Sequence, residues 1–314
     1  MAFTIETYDR KYLDGMTGLF NTLTAFEPHI APLDDERFIA LVENKSYFDP
    51  QGLLVAMERR KVVGWVHACL APGSEGHHDP NNKIARIRML MFAPDRLKVG
   101  NALVAEATAW LAQSGQTEIE ALHARVGYPF YRGLWMGGEP MAPSSLPQLQ
   151  LALEVGGYKS TQESIFMTAR MTARPKVIEP DVRADFADAP AQMKHEGMRQ
   201  SWIGFEPMTT QAVVDGQNAG GIAWVIEPHV ADRLGAACMN IWGLGVAEKH
   251  RRQGLAGALV SRAMAHSYKL GARFCSVGTQ LWNAPAHATY AKLGFVPHCV
   301  LVGRQLDLTP EKKP

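Results

Sequence analysis

The feature that most limits how this chain can fold is an internal repeat. Phe92-Ala93-Pro94 through Gly100-Asn101-Ala102 lies over Val246-Ala247-Glu248 through Gly254-Leu255-Ala256 without a gap. The stretch from Gly157-Tyr158 to Met171 lies over that from Gly294-Phe295 to Leu308, also without a gap. Between these anchors the halves differ: Gly100 and Gly157 are 57 positions apart, Gly254 and Gly294 only 40. The extra residues fall in a segment rich in Gly, Pro and Ser, residues 127–147. Duplication of one domain, with an insertion in the first copy, accounts for all of this. The length agrees, since 314 residues make about two average domains. The polar, proline-containing run Thr172-Ala173-Arg174-Pro175-Lys176 reads as the linker, giving units at 1–172 and 177–314.

Within each half, strand-like runs alternate with helical ones. In the first, strands are expected at 3–8, 53–57, 62–70, 84–92, 119–122 and 164–171, with helices at 13–26, 38–42, 100–111 and before Gly156. In the second, helices are expected at 189–202, 254–270 and 286–293, and strands at 222–226, 236–246, 273–277 and 300–308. A second strand early in the second half is hard to place: either the unit is trimmed there or a strand runs through 212–214. The alternation predicts an α/β fold with a mixed sheet in each half.

The 32 basic and 31 acidic residues leave a net charge of +1, which argues against a nucleic-acid partner, since phosphate backbones select a basic excess. No apolar run approaches the ~18 residues of a membrane span, and the charged N-terminal stretch does not read as a signal peptide. A cytoplasmic protein without a membrane partner is expected. The four cysteines are scattered through apolar segments, so neither a metal site nor a disulfide framework is expected.

Chemistry concentrates in the second half. The run Leu244-Gly245-Val246-Ala247-Glu248-Lys249-His250-Arg251-Arg252-Gln253-Gly254-Leu255-Ala256 passes from an apolar strand through a basic turn into a helix start. Glycine at a helix N-terminus lets backbone N–H groups approach an anion, and the helix end itself carries about half a positive charge. The glycine spacing fits neither a dinucleotide fold nor a nucleotide triphosphate loop. After the next strand comes Asn283-Ala284-Pro285-Ala286-His287-Ala288-Thr289-Tyr290-Ala291-Lys292-Leu293-Gly294-Phe295.

Together these two segments resemble the motifs of the GNAT family of acyl-CoA N-acyltransferases, and the whole chain looks like a tandem GNAT protein, two such domains arranged as a pseudo-dimer. The resemblance implies an N-acetyltransferase that uses acetyl-CoA, needs no metal, and moves the acetyl group to a small-molecule or peptide amine by direct attack. It implies that Leu244 and Val246 pair with the pantetheine arm. Arg251, Arg252, Gln253, Gly254, Leu255 and Ala256 would cradle the pyrophosphate, Asn283 would hold the cofactor, and Tyr290 would donate to the departing thiolate. The acceptor, the oligomeric state and the general base stay open; Glu206, Glu227 and His229 are candidates for the base by residue type only, and Glu248, His250 and His287 are expected to face solvent.

The first half departs from the pattern. Leu97 stands where Arg251 stands, Leu146 where Asn283 stands and Leu153 where Tyr290 stands. A degenerate copy that shapes the substrate pocket is expected, with the aromatic segment from Tyr128 to Pro140 either walling that pocket or folded on its own apolar side chains. A different class, a non-catalytic acyl-CoA-binding or regulatory protein, is the alternative.

Overall fold

The alternating strands and helices assemble into one continuous sheet. The computed structural model describes residues 2–72, 83–123, 128–135, 141–193 and 196–309. In the first half the strands are β1 (Thr4–Thr7), β2 (Leu53–Glu58), β3 (Lys61–Pro72), β4 (Lys83–Phe92), β5 (Glu118–Ala121), β6 (Ala142–Pro143) and β7 (Lys159–Arg170). Its helices are α1 (Leu13–Leu23), α2 (Asp35–Phe38), α3 (Leu97–Ala112) and α4 (Pro147–Val155). The second half contains β8 (Asp185–Pro190), α5 (Glu196–Ser201), β9 (Met208–Val214), β10 (Gln217–Glu227), α6 (Ala231–Leu234) and β11 (Cys238–Val246). It ends with α7 (Leu255–Lys269), β12 (Phe274–Gln280), α8 (Ala284–Lys292) and β13 (Val296–Asp307).

The sheet order is β1-β2-β3-β4-β5-β13-β7-β12-β11-β10-β9-β8, with β6 paired beside β13. The halves therefore exchange their last strands. β7, from the first half, pairs with β12 from Phe274↔Arg170 to Gln280↔Ser164. β13, from the second half, pairs with β5 from Arg304↔Ala121 to Asp307↔Glu118. The two exchanged strands pair antiparallel with each other in the middle. Chain order divides the molecule near 172–177; hydrogen bonding crosses that division.

Apolar residues alternate along these strands and feed three cores. Helices α3 and α4 cover one around Leu90, Phe92, Leu103 and Leu149. Helix α7 covers a second around Met239, Ile241, Leu259 and Val277. On the opposite face a third joins the halves, bringing Phe20, Trp65 and Tyr131 together with Phe166, Cys238 and Leu301. Polar contacts add to this joint. Arg37 pairs with Asp232 at 2.9 Å, Lys45 Nζ donates to the Gln200 carbonyl at 2.7 Å, and Arg132 Nε donates to Ser201 Oγ at 2.7 Å. The Arg132 guanidinium also lies 3.8 Å from the Trp202 ring centre.

The structure differs from the sequence expectation in two places. The stretch 189–202 is not one helix: β8 runs through Pro190 and α5 begins at Glu196. The elusive strand of the second half is β9, which contains 212–214 and pairs with β10. Among the described residues no helix is long and apolar enough to cross a membrane.

Candidate functional site

The site opens where two parallel strands part. β11 and β12 pair from Cys238↔Phe274 to Ile241↔Val277, yet β11 continues to Val246 and β12 to Gln280. The cause lies on the other edge of β11. There Trp224 pairs with Ile241 and Ala223 with Gly243, leaving Trp242 as an extra, bulged residue. A bulge bends its strand and increases its twist. Beyond it, Trp242 to Val246 are half-buried or exposed, whereas Met239 to Ile241 are buried. Leu244 and Val246 thus lie on a strand edge that no neighbouring strand covers, where an amide-bearing ligand arm can take over the backbone pairing.

The strand then leads into a turn whose backbone geometry suits an anion cradle. Arg252 (φ 61°) and Gly254 (φ 76°) both take left-handed backbone, unusual for an arginine and natural for the glycine that precedes α7. Alternation of left- and right-handed residues turns successive N–H groups the same way, forming a nest for an anion. The N–H groups of Arg252, Gln253, Gly254, Leu255 and Ala256 have no acceptor among the described residues. Helix α7 adds its dipole behind them. The Arg251 and Arg252 side chains are exposed above the turn, with Arg251 Nε donating to the Val246 carbonyl at 3.3 Å. The interdomain segment braces the cradle from outside: the Asp181 N–H donates to the Gln253 carbonyl at 3.0 Å.

Asn283 stands at the start of α8 and presently caps it. Its side-chain oxygen accepts from the Ala286 N–H at 3.3 Å, and its amide donates to Thr279 Oγ1 at 3.4 Å. Tyr290 follows two turns later. Its ring packs 5.5 Å from that of Phe295, centre to centre, and only 4% of the residue is exposed. The hydroxyl has no hydrogen-bond partner among the described residues, and burial pushes its pKa up to about 12.

The first half shows what a closed version looks like. Helix α3 already begins at Leu97, so the positions that form the cradle in the second half are helical turns here. Gly100 has no positive φ, and a Cβ placed on it would lie 2.3 Å from the Phe92 ring. β4 stays buried through Phe92, and Gln148 Nε2 donates to the Phe92 carbonyl at 3.4 Å. Where β11 and β12 pair Asn240 with Ser276, β4 and β5 pair Arg86 with Glu120 in a buried ion bridge. The aromatic segment serves this closed half. Tyr131 hydrogen-bonds His67 Nδ1 at 2.9 Å, Trp135 packs on Phe20, and Tyr128 to Trp135 are buried in the shared core. Residues 136–140 lie outside the described residues. Arg132 and Gly133 make specific contacts with the other half, Arg132 Nε with Ser201 Oγ and Gly133 against Phe205, Glu227 and His229, and Trp135 borders a cavity shared with His298 and Leu301.

None of the candidate bases stands in the gap between β11 and β12. Glu206 is exposed beside α5. Glu227 is fully buried opposite Cys238, at the far end of β11 from the cradle. Burial, then the charge of Arg37, lowers the pKa of His229, which packs edge-on against Phe205 at 5.7 Å. Glu248 is exposed, His250 half-buried, and His287 Nε2 sits 3.1 Å from the Gln280 carbonyl. Sequence reasoning missed residues that do border the gap: Trp242 at the bulge, and the Asn240 amide donating to Ser276 Oγ at 3.0 Å. A lone asparagine in an apolar strand was the available signal. Among the described residues no three His, Cys, Asp or Glu side chains are grouped to hold a metal ion.

Comparison with known proteins points the same way. Residues 177–295 match the model of the acetyltransferase (GNAT) family. No curated protein matches the sequence. Among solved structures, a tandem GNAT protein from the clavulanic acid biosynthesis pathway superposes with a TM-score of 0.61 at 15% identity, covering 99% of this chain and 100% of that one. A GCN5-related N-acetyltransferase from Sphaerobacter thermophilus gives 0.65 at 12% identity, covering 98% and 96%. The glucosamine N-acetyltransferase region of a fungal multi-domain β-N-acetylglucosaminidase gives 0.67 at 12% identity, covering 97% of this chain and 38% of that one.

Proposed function

We propose that the protein is an acyl-CoA-dependent N-acyltransferase that transfers acetyl from acetyl-CoA to an amine at one site, in the second half, a reading supported by the GNAT family model over residues 177–295 and by the tandem GNAT fold of the chain. The observation that carries this reading is the nest of unpartnered N–H groups from Arg252 to Ala256, set against the helix that replaces it from Leu97 onward. In this reading Leu244 and Val246 receive the pantetheine arm, Arg251 to Ala256 the pyrophosphate, and Asn283 gives up its capping bond to contact the cofactor. The units of the duplication are 1–172 and 177–314, each lending its last strand to the other.

The amine attacks the thioester carbonyl directly: the N–C bond forms, the C–S bond breaks, and CoA leaves as thiolate while nitrogen loses a proton. Burial pushes the thiols of Cys238 and Cys275 up, which argues against a covalent acyl-enzyme. Tyr290 acts on the leaving sulfur. A hydroxyl near 12 facing a thiol near 8.5 gives up its proton only at a cost on the order of 5 kcal/mol, so Tyr290 stabilises the thiolate as a hydrogen-bond donor.

Following free thiol release from acetyl-CoA across an amine library tests this reading. Acetyl-CoA-dependent thiol release with some amines, abolished when the cradle is disrupted, is the expected result. Binding of CoA with no transfer to any amine returns the alternative of a non-catalytic binder, and preference for a longer acyl-CoA overturns the acetyl assignment.

A further inference from the structure

On the sheet face opposite α7, a narrow cavity of about 20 Å³ lies between the halves, bordered by Glu27, His29, Trp135, Phe166 and His298. Glu27 is 6% exposed. One carboxylate oxygen bonds His298 Nε2 at 3.2 Å; the other has no partner among the described residues. Arg233 is close but donates to the backbone carbonyls of Thr24 and Glu27 and to Thr24 Oγ1, not to the carboxylate. The His29 ring stands edge-on to His298 at 4.1 Å, and burial, then the neighbouring His298, holds its pKa down to about 4, so it brings no charge. A carboxylate that is only 6% exposed has lost most of its hydration, at a cost that the His298 contact and the nearby Arg233 charge offset in part. A cation that enters between the Trp135 and Phe166 rings offsets that cost, since aromatic faces also attract positive charge.

The cavity adjoins the acyl site. Phe166 pairs with Gly278, one step past Ile241↔Val277, the last pair before β11 and β12 part. Phe166, Gly278 and Ser276 lie on the same face, because Met167, Cys275 and Val277 point into the core beneath α7. A side chain on Gly278 would meet nothing within 4 Å, so the space over β12 on this face is open. Neighbouring strands are only about 4.8 Å apart.

We propose that Glu27 binds a second ammonium group of the acceptor, so that the substrate is a slender aliphatic diamine or polyamine, one nitrogen held in the cavity and the other acylated at the gap. This rests on the acyl-transfer reading above. An ammonium held against Glu27 keeps its proton and is no nucleophile, which is why a second nitrogen is required.

Two measurements test the proposal. In the first, the intact chain acetylates a series of α,ω-diaminoalkanes and the monoaminoalkanes of equal length. The diamines are expected to show kcat/KM about tenfold or more above the monoamines, and Glu27→Gln to raise their KM by about the same factor with kcat and CoA affinity little changed. Monoamine turnover should not move. In the second, calorimetry follows 1,5-diaminopentane binding without CoA, expected for the parent and lost in a Glu27→Gln variant that melts like the parent. Glu27-dependent diamine binding without any acyl transfer would sink the acyl-transfer reading and leave the cavity standing as a cation site. Amine acetylation indifferent to Glu27 and to the second nitrogen would overturn the cavity proposal and leave the enzyme.

Discussion

Two left-handed residues, Arg252 and Gly254, separate a cradle from an ordinary helix start. At Gly254 a side chain would bear a strained φ of 76° and bring its Cβ within 3.2 Å of Pro180 Cα. Gly254→Val is therefore expected to cost about 1–3 kcal/mol in CoA binding, roughly ten- to a hundredfold in Kd, measured by calorimetry. Tyr290→Phe should behave differently, lowering kcat much more than CoA affinity, because the hydroxyl matters as charge develops on sulfur. Unchanged turnover where chemistry limits the rate would leave Tyr290 as a packing partner of Phe295. The same residue predicts a pH profile. With its pKa pushed up to about 12, Tyr290 stays protonated across the assay range, so kcat/KM for a monoamine acceptor should rise as the amine loses its proton and show no fall near pH 10.

Helix α3 and the Tyr128–Trp135 segment carry the contrast between the halves. Tyr131 is packed in the shared core, so replacing it with alanine should lower stability by about 3–5 kcal/mol, read by denaturant unfolding, with acceptor KM changed far less in the fraction that stays folded. Reduced acceptor affinity at unchanged stability would restore the aromatic segment as a pocket wall. Much of this was legible in the sequence. The repeat spacing pointed to the tandem fold, and local residue chemistry pointed to the turn from Val246 to Gly254 as the place for an anion cradle. Leu97, Leu146 and Leu153 announced the loss of site groups in the first copy, though not that Phe92 and the longer α3 fill the space. The region 189–202 misled because its apolar spacing suits a helix while pairing with β9 holds Asp185–Pro190 extended. The strand exchange left no local trace: β7 and β13 have the same pattern whichever half they join, and only tertiary pairing decides. Glu27 and Phe166 were invisible as site residues for the same reason.

At the scale of the molecule, the exchange makes the halves interdependent, since removing either would strip a strand from the centre of the other's sheet. Unfolding should therefore be one transition, seen alike by fluorescence and circular dichroism; two separated transitions would show that the halves fold independently. Stability should also be lost in alkali. Burial raises the pKa of Tyr158 to about 12 and holds those of Tyr128 and Tyr131 well above the usual value. In the unfolded chain these hydroxyls ionise near 10, so the stability they contribute is full below about pH 10 and falls as pH rises toward the folded-state values. The asymmetry of the two halves is the centre of this account: one open cleft with a cradle, and one closed by Phe92, Gln148 and an early helix. Calorimetric titration of the intact chain with CoA tests it most directly. The account predicts a single site per chain, weakened by Gly254→Val; two equivalent sites, or one site indifferent to that substitution, would contradict it.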